Sequence, residues 1–176
     1  MSTDHASSET ETPILPTVYV ETSVVSYLTS RPSPSVEIFG HQSVTRRWWR
    51  TQRRKFRLVT SEITLREAGR GNPRWARKRL AALKSIPLLD IPPEASDFVA
   101  ELFSVNLLPL TAADDAVHLA AAVFNGVNYL LTWNCKHLAN AFIRPRLEQF
   151  CRDHLFRPPV ICTPQELMKY ETEEMA

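Results

Sequence analysis

Between residues 17 and 162 the chain alternates short apolar runs with longer amphipathic stretches. Thr17-Val18-Tyr19-Val20 is β-branched and aromatic, the composition of a buried strand. Thr22 to Thr29 reads as a brief helix with Val24, Val25 and Leu28 inward, and Arg31-Pro32-Ser33-Pro34 as a turn. A longer helix is expected from about Glu37 to Arg54, carrying Ile38, Trp48 and Trp49 among arginines. Phe56 to Thr60 reads as a second strand, and Ser61 as the N-cap of a helix from Glu62 to Ala68 that Gly69 stops. Asn72 followed by Pro73 has the cap-then-first-turn order of another helix, reaching Ser85. Leu88 to Ile91 is the third strand, and Pro92-Pro93 opens a helix to about Asn106. Ala112 to Phe124 is a strongly apolar helix and Tyr129 to Thr132 a fourth strand. Pro145 begins a helix with Leu147, Phe150, Cys151 and Leu155 inward, Val160 to Cys162 is the last strand, and Pro164 starts a terminal helix.

Strands alternating with helices imply right-handed crossovers, hence an α/β fold with a mostly parallel five-stranded sheet covered on both faces. Residues 1–16, rich in Ser, Thr, Glu and Pro, read as a disordered tail, residues 17–171 as one domain and 172–176 as a short C-terminal tail. With 44% hydrophobic and 23% charged residues the composition is that of a soluble globular protein, and neither a signal peptide nor a membrane-length apolar run is present. Three cysteines without metal-finger spacing fit buried thiols in a reducing cytoplasm.

In such sheets ligands bind beyond the carboxyl ends of the strands, so polar residues there carry the candidate chemistry. Glu21 directly follows the first strand, where a desolvated carboxylate is costly unless compensated. Glu67 borders the apolar face of the helix after the second strand. In the apolar helix, at about 100° per residue, Ala112, Ala116, Leu119, Ala120 and Val123 form the inward stripe. Asp115 falls at its edge, Asp114 points away, and His118 lies a turn beyond both, placed to orient a carboxylate or phosphate. Asn134 takes the position after the fourth strand. Converging carboxylates repel one another, and Mg²⁺ or Mn²⁺ would relieve that repulsion while activating water against a phosphodiester.

Each residue alone has a plainer explanation. Glu21 can neutralise a helix N-terminus, Glu67 can pair with Arg66 or Arg70, Asp114 and Asp115 can complement a helix dipole, and Asn134 can be a turn residue. Their joint placement at one sheet edge favours a site.

Four segments occur in the order of PIN domains: Val18 to Leu28, Thr60 to Glu67, Asp114-Asp115-Ala116, and Leu130-Leu131-Thr132-Trp133-Asn134. Over about residues 17 to 165 the chain resembles the toxin halves of VapBC toxin–antitoxin pairs. The resemblance implies a three-layer α/β/α sandwich and an endoribonuclease dependent on Mg²⁺ or Mn²⁺, with RNA as substrate, a small antitoxin protein as partner and a homodimer. It places the family's acids on Glu21, Glu67, Asp115 and Asn134 as catalytic positions, the first three as metal ligands, with Ser23 as the supporting hydroxyl. Two positions depart from its usual pattern. Glu for Asp at 21 shifts the carboxylate by about 1 Å, and Asn for Asp at 134 removes a charge that a second metal would use. A non-catalytic RNA- or antitoxin-binding module with a degenerate acidic site is the alternative.

Arg46, Arg50, Arg53 and Arg57 have helical spacing and form a candidate RNA-binding stripe, while an acidic partner segment or a solvated face would use the same charges. Arg70, Arg74, Arg77, Lys78 and Arg79 extend the basic character near Glu67. Cys135 and His137 lack companions at zinc-like spacing. A response-regulator phosphotransfer domain is disfavoured, because Asp90 lies within the third strand rather than after it.

Overall fold

A computed structural model of the chain describes residues 14–168. Five strands, β1 (Thr17–Val20), β2 (Arg57–Ser61), β3 (Leu88–Leu89), β4 (Tyr129–Leu131) and β5 (Val160–Cys162), form one sheet in the order β3-β2-β1-β4-β5. All four neighbouring pairs are parallel. The helices are α1 (Thr22–Thr29), α2 (Val36–Thr51), α3 (Glu62–Ala68), α4 (Pro73–Leu83), α5 (Ala95–Ser104), α6 (Ala113–Phe124) and α7 (Arg144–Asp153).

Period-two alternation on the central strands builds two cores, one on each side of the sheet. Val18, Val20 and Leu131 pack with Val24 and Val25 of α1, Trp48 of α2 and Leu83 of α4. Tyr19, Leu130 and Ile161 face the other way, against Phe98 of α5, Leu119 and Ala120 of α6 and Phe150 of α7. The result is a three-layer α/β/α sandwich. The alanines Ala116, Ala120, Ala121 and Ala122, all at 0% exposure, let the α6 backbone lie close to the sheet.

Apart from the terminal helix, the expected elements are present, with shifted ends where local chemistry intervenes. Helix α2 stops at Thr51 instead of Arg54, and Arg53–Lys55 form a 3₁₀ turn. That turn carries Phe56 into the core, where its ring stacks on Trp48 at 5.9 Å. Strand β3 keeps only Leu88 and Leu89 of the expected four, and α5 begins at Ala95, because Pro92-Pro93 disfavours both ladder bonding and helix in the residues before each proline. Helix α5 ends at Ser104, and Asn106 then takes a left-handed φ of 53°. Ser61 occupies the N-cap position of α3, but its hydroxyl makes no capping bond and lies 2.5 Å from the Tyr19 hydroxyl instead. Asn72 caps α4 as expected, its side chain accepting from Arg74 N at 3.0 Å. Pro164 begins a turn, so the expected terminal helix is not seen before residue 168. The N-terminal tail lies outside the described residues except for 14–16, where the Pro16 carbonyl already accepts from Arg57 N at 2.9 Å. Among the described residues no helix is long and apolar enough to cross a membrane.

The strand order reverses at β1: β2 and β3 extend the sheet to one side, and β4 and β5 to the other. This switch leaves a crevice above the carboxyl ends of β1 and β4, the place where open α/β sheets bind ligands.

Candidate active site

Glu21 links β1 to α1 at that crevice. Its amide donates to Leu131 O at 3.1 Å, and its Oε1 accepts from Ser23 N at 3.0 Å as the N-cap of α1. The plainer reading of this residue is thus correct as far as it goes. The carboxylate does more than cap, however. Oε2 accepts from Thr132 Oγ1 at 2.7 Å and from the Ser23 hydroxyl in a short contact. Three donors offset the cost of holding a carboxylate at 6% exposure. Thr132 is fixed in turn by its own amide on Cys162 O at 3.0 Å and by accepting from Asn134 N at 2.9 Å. Ser23 Oγ also accepts from Trp133 N at 2.8 Å, which ties the start of α1 to the end of β4.

Glu67 sits in the last turn of α3, where Thr64 and Ala68 are buried. Its Oε2 accepts from the Thr22 hydroxyl in a short contact and lies 2.8 Å from His118 Nε2. His118, on α6 at 1% exposure, has its other nitrogen 2.7 Å from the Tyr19 hydroxyl, which itself lies 3.2 Å from Thr64 Oγ1. His118 Nε2 is 3.9 Å from Glu21 Oε1. Ligand-capable atoms of Glu21, Glu67 and His118 all fall within 4.8 Å of one another.

The protonation of this trio follows from its contacts. Burial alone would raise Glu67, but hydrogen bonds from His118 and Thr22 and the charge on His118 outweigh it and lower the carboxyl to about 2. Burial would likewise lower His118, but Tyr19, the Glu67 carboxylate and Glu21 outweigh it and push the imidazole up to about 10. At neutral pH a buried imidazolium therefore stands between two carboxylates.

The third member of the cluster is His118; Asp115, an expected metal ligand, is not part of it. Both Asp115 oxygens are engaged elsewhere: Oδ1 accepts from Asn134 Nδ2 at 2.7 Å and Oδ2 lies 2.7 Å from His137 Nδ1. Asn134 also accepts from His137 N at 3.1 Å through its Oδ1. Asp115, Asn134 and His137 thus form a second polar set, joined to Glu21 through the Asn134 amide and Thr132. Asp114 lies outward as expected, beside Glu67, pairing with Arg70 at 3.1 Å and Arg66 at 3.7 Å.

The arginine stripe does not persist as one face. Arg46 donates to Ser30 O at 2.7 Å and Leu28 O at 3.3 Å, closing the end of α1. Arg50 is exposed on the last turn of α2, Arg53 lies in the 3₁₀ turn over Trp49 at 5.3 Å, and Arg57 is on β2 bonded to Thr17 Oγ1 at 3.1 Å. Helical spacing cannot align residues on three different elements.

Tyr19, Thr22, Thr132 and His137 were missed as site residues. The signal for two of them was available, since the strand-end rule that selected Glu21 and Asn134 applies equally to Thr22 and Thr132.

A five-stranded parallel sheet in this order, sandwiched by helices, is a PIN-like three-layer α/β/α fold. No family model matches the sequence, and no curated protein does. Among solved structures it is similar to Mycobacterium tuberculosis VapC20, described as a Sarcin-Ricin loop cleaving toxin, with a TM-score of 0.55 at 16% identity over 70% of this chain and 95% of that one. It is also similar to VapBC2 from Rickettsia felis bound to a promoter DNA fragment, with a TM-score of 0.47 at 11% identity over 84% of this chain and 98% of that one.

Proposed function

We propose that the chain is a divalent-metal-dependent endoribonuclease, with Glu21 and Glu67 as its metal-binding carboxylates, and that it acts as the toxin of a toxin–antitoxin pair. The observation that carries this reading is the convergence of Glu21, Glu67 and His118 at the switch point, with ligand-capable atoms within 4.8 Å. Glu21 and Glu67 would hold one Mg²⁺ or Mn²⁺, since carboxylate oxygens match hard cations, with His118 bracing Glu67 rather than ligating. When bound, the ion would polarise a phosphodiester oxygen and lower the pKa of a water.

The chain's own residues supply orientation. Ser23 and Thr132 aim Glu21, while Thr22 and His118 aim Glu67. His118 is too buried to touch RNA and acts as a positioning residue that holds a proton against Glu67. Asp114, at 40% side-chain exposure beside Glu67, adds negative charge at the solvent side of the centre. Asp115 and Asn134 act one linkage further out, bracing the loop that carries Thr132. A small antitoxin, RNA as substrate and a homodimer belong to the same reading.

Incubating the purified protein with total RNA with and without Mn²⁺ tests it. Cleavage that requires the metal and disappears in Glu67→Gln is expected; no cleavage under any metal would end the nuclease reading. The internal His118 charge favours one competitor, a binding module whose acids are already neutralised. Calorimetric titration with Mn²⁺ separates the two, since a pure binding module takes up none.

A further inference from the structure

We infer that the cleft between the end of α1 and the α3–α4 connection binds a nucleotide of single-stranded RNA next to the acidic centre. The ligand class rests on the nuclease reading; the cleft itself does not.

Its volume is about 550 Å³, within the roughly 300–1,000 Å³ of small-ligand clefts. Three arginines line it, Arg31, Arg70 and Arg79, and no acid does. This is the charge arrangement a phosphate backbone needs. Two aromatic side chains, Tyr27 of α1 and Trp75 of α4, also line it. Trp75 is partly exposed, with Lys78 Nζ 4.5 Å and Arg74 Cζ 5.6 Å from its ring centroid. A π-face beside cations is the sequence-tolerant platform on which single-stranded bases stack.

The cleft and the acidic centre are built on the same elements, α1 and the end of α3. Arg70 lies three positions beyond Glu67 and pairs with Asp114, which stands beside Glu67. Tyr27 sits on α1, the helix that Glu21 caps. Arg79 holds the rim in place by donating to Ala68 O at 2.8 Å and to Arg70 O. Arg31, by contrast, is exposed, and among the described residues its guanidinium has no hydrogen-bond or ion-pair partner, so it is free to meet a phosphate. The RNA-facing cations are thus assigned to this cleft, whereas Arg46, Arg50, Arg53 and Arg57 are spread over three elements.

The test is fluorescence anisotropy with a labelled single-stranded ten-nucleotide RNA in EDTA, on the full chain and on Trp75→Ala and Arg31→Gln. Loss of one base stack is expected to weaken binding about tenfold, and loss of Arg31 to weaken it and flatten its salt dependence. A parallel photo-crosslink of unaltered protein with a 5-bromouridine RNA of the same length should mark Tyr27 or Trp75, and needs no variant to fold. Variants that bind as tightly as the parent, or crosslinks confined to Trp49 and its neighbours, would overturn the inference; the second result would return RNA to α2 and leave this cleft to a peptide. Because EDTA removes the metal, the titration reads binding alone. Failure of Mn²⁺-dependent cleavage in a separate digestion would strike the nuclease reading without altering this result.

Discussion

His118 Nε2 stands 2.8 Å from Glu67 Oε2 inside the fold, with the imidazole ring at 1% exposure and its far nitrogen on the Tyr19 hydroxyl. The pair ties α6 to α3 and both to β1. Helices from opposite faces of the sheet are thereby locked together by one charged contact at its upper rim.

The pH dependence of stability follows from the direction of each shift. Glu67 is lowered from 4.5 to about 2, so its contribution is present above 4.5 and is lost as pH falls toward 2. His118 is raised from 6.5 to about 10, so its contribution is present below 6.5 and is lost as pH rises toward 10. Thermal unfolding in EDTA should give a plateau between these limbs and a decline on each side. A melting temperature that climbs from pH 7 to pH 9 would contradict the assignment, and His118→Gln should remove the alkaline limb.

Tyr19→Phe deletes the hydroxyl that lies 2.7 Å from His118 Nδ1 and 2.5 Å from Ser61 Oγ. Both partners are buried, so stability should drop by about 1–3 kcal/mol, read from urea unfolding. A change smaller than the error of that measurement would mean that His118 finds another partner.

Thr132→Val keeps shape and removes the 2.7 Å bond to Glu21 Oε2. Mn²⁺ affinity by calorimetry should fall by roughly 10–100-fold, the usual cost of an outer partner to a metal ligand. Glu67→Gln should cost more than Thr132→Val. The reverse order would move the centre away from Glu67.

Trp48 is fully buried against Phe56 and donates its indole N–H to Leu167 O at 3.2 Å. Trp48→Ala should destabilise the fold by about 3–5 kcal/mol. Trp75→Ala, on the surface, should leave urea unfolding nearly unchanged, which separates the core tryptophan from the one lining the cleft.

Much of this was legible in the chain. Apolar periodicity placed all five strands, and the strand-end rule led to Glu21. The α6 stripe correctly turned Asp114 outward and put Asp115 at its edge. Periodicity could not say that Asp115 would meet Asn134 and His137 instead of Glu21, because that depends on how far α6 slides along the sheet. The same slide brings His118 against Glu67. The arginine stripe failed for a different reason: spacing has meaning only while one helix lasts, and the burial of Phe56 ends this one at Thr51. Ser61 looked like a capping residue, and only the fold reveals that Tyr19 claims its hydroxyl.

The reversal of strand order at β1 has a consequence for the timing of synthesis. Glu21 receives its Thr132 bond from a residue 111 positions later. A ribosome can therefore finish β1, β2 and β3 long before the carboxylate that follows β1 is braced. Whatever chemistry this rim performs stays latent in the growing polypeptide until β4 and Thr132 have been made.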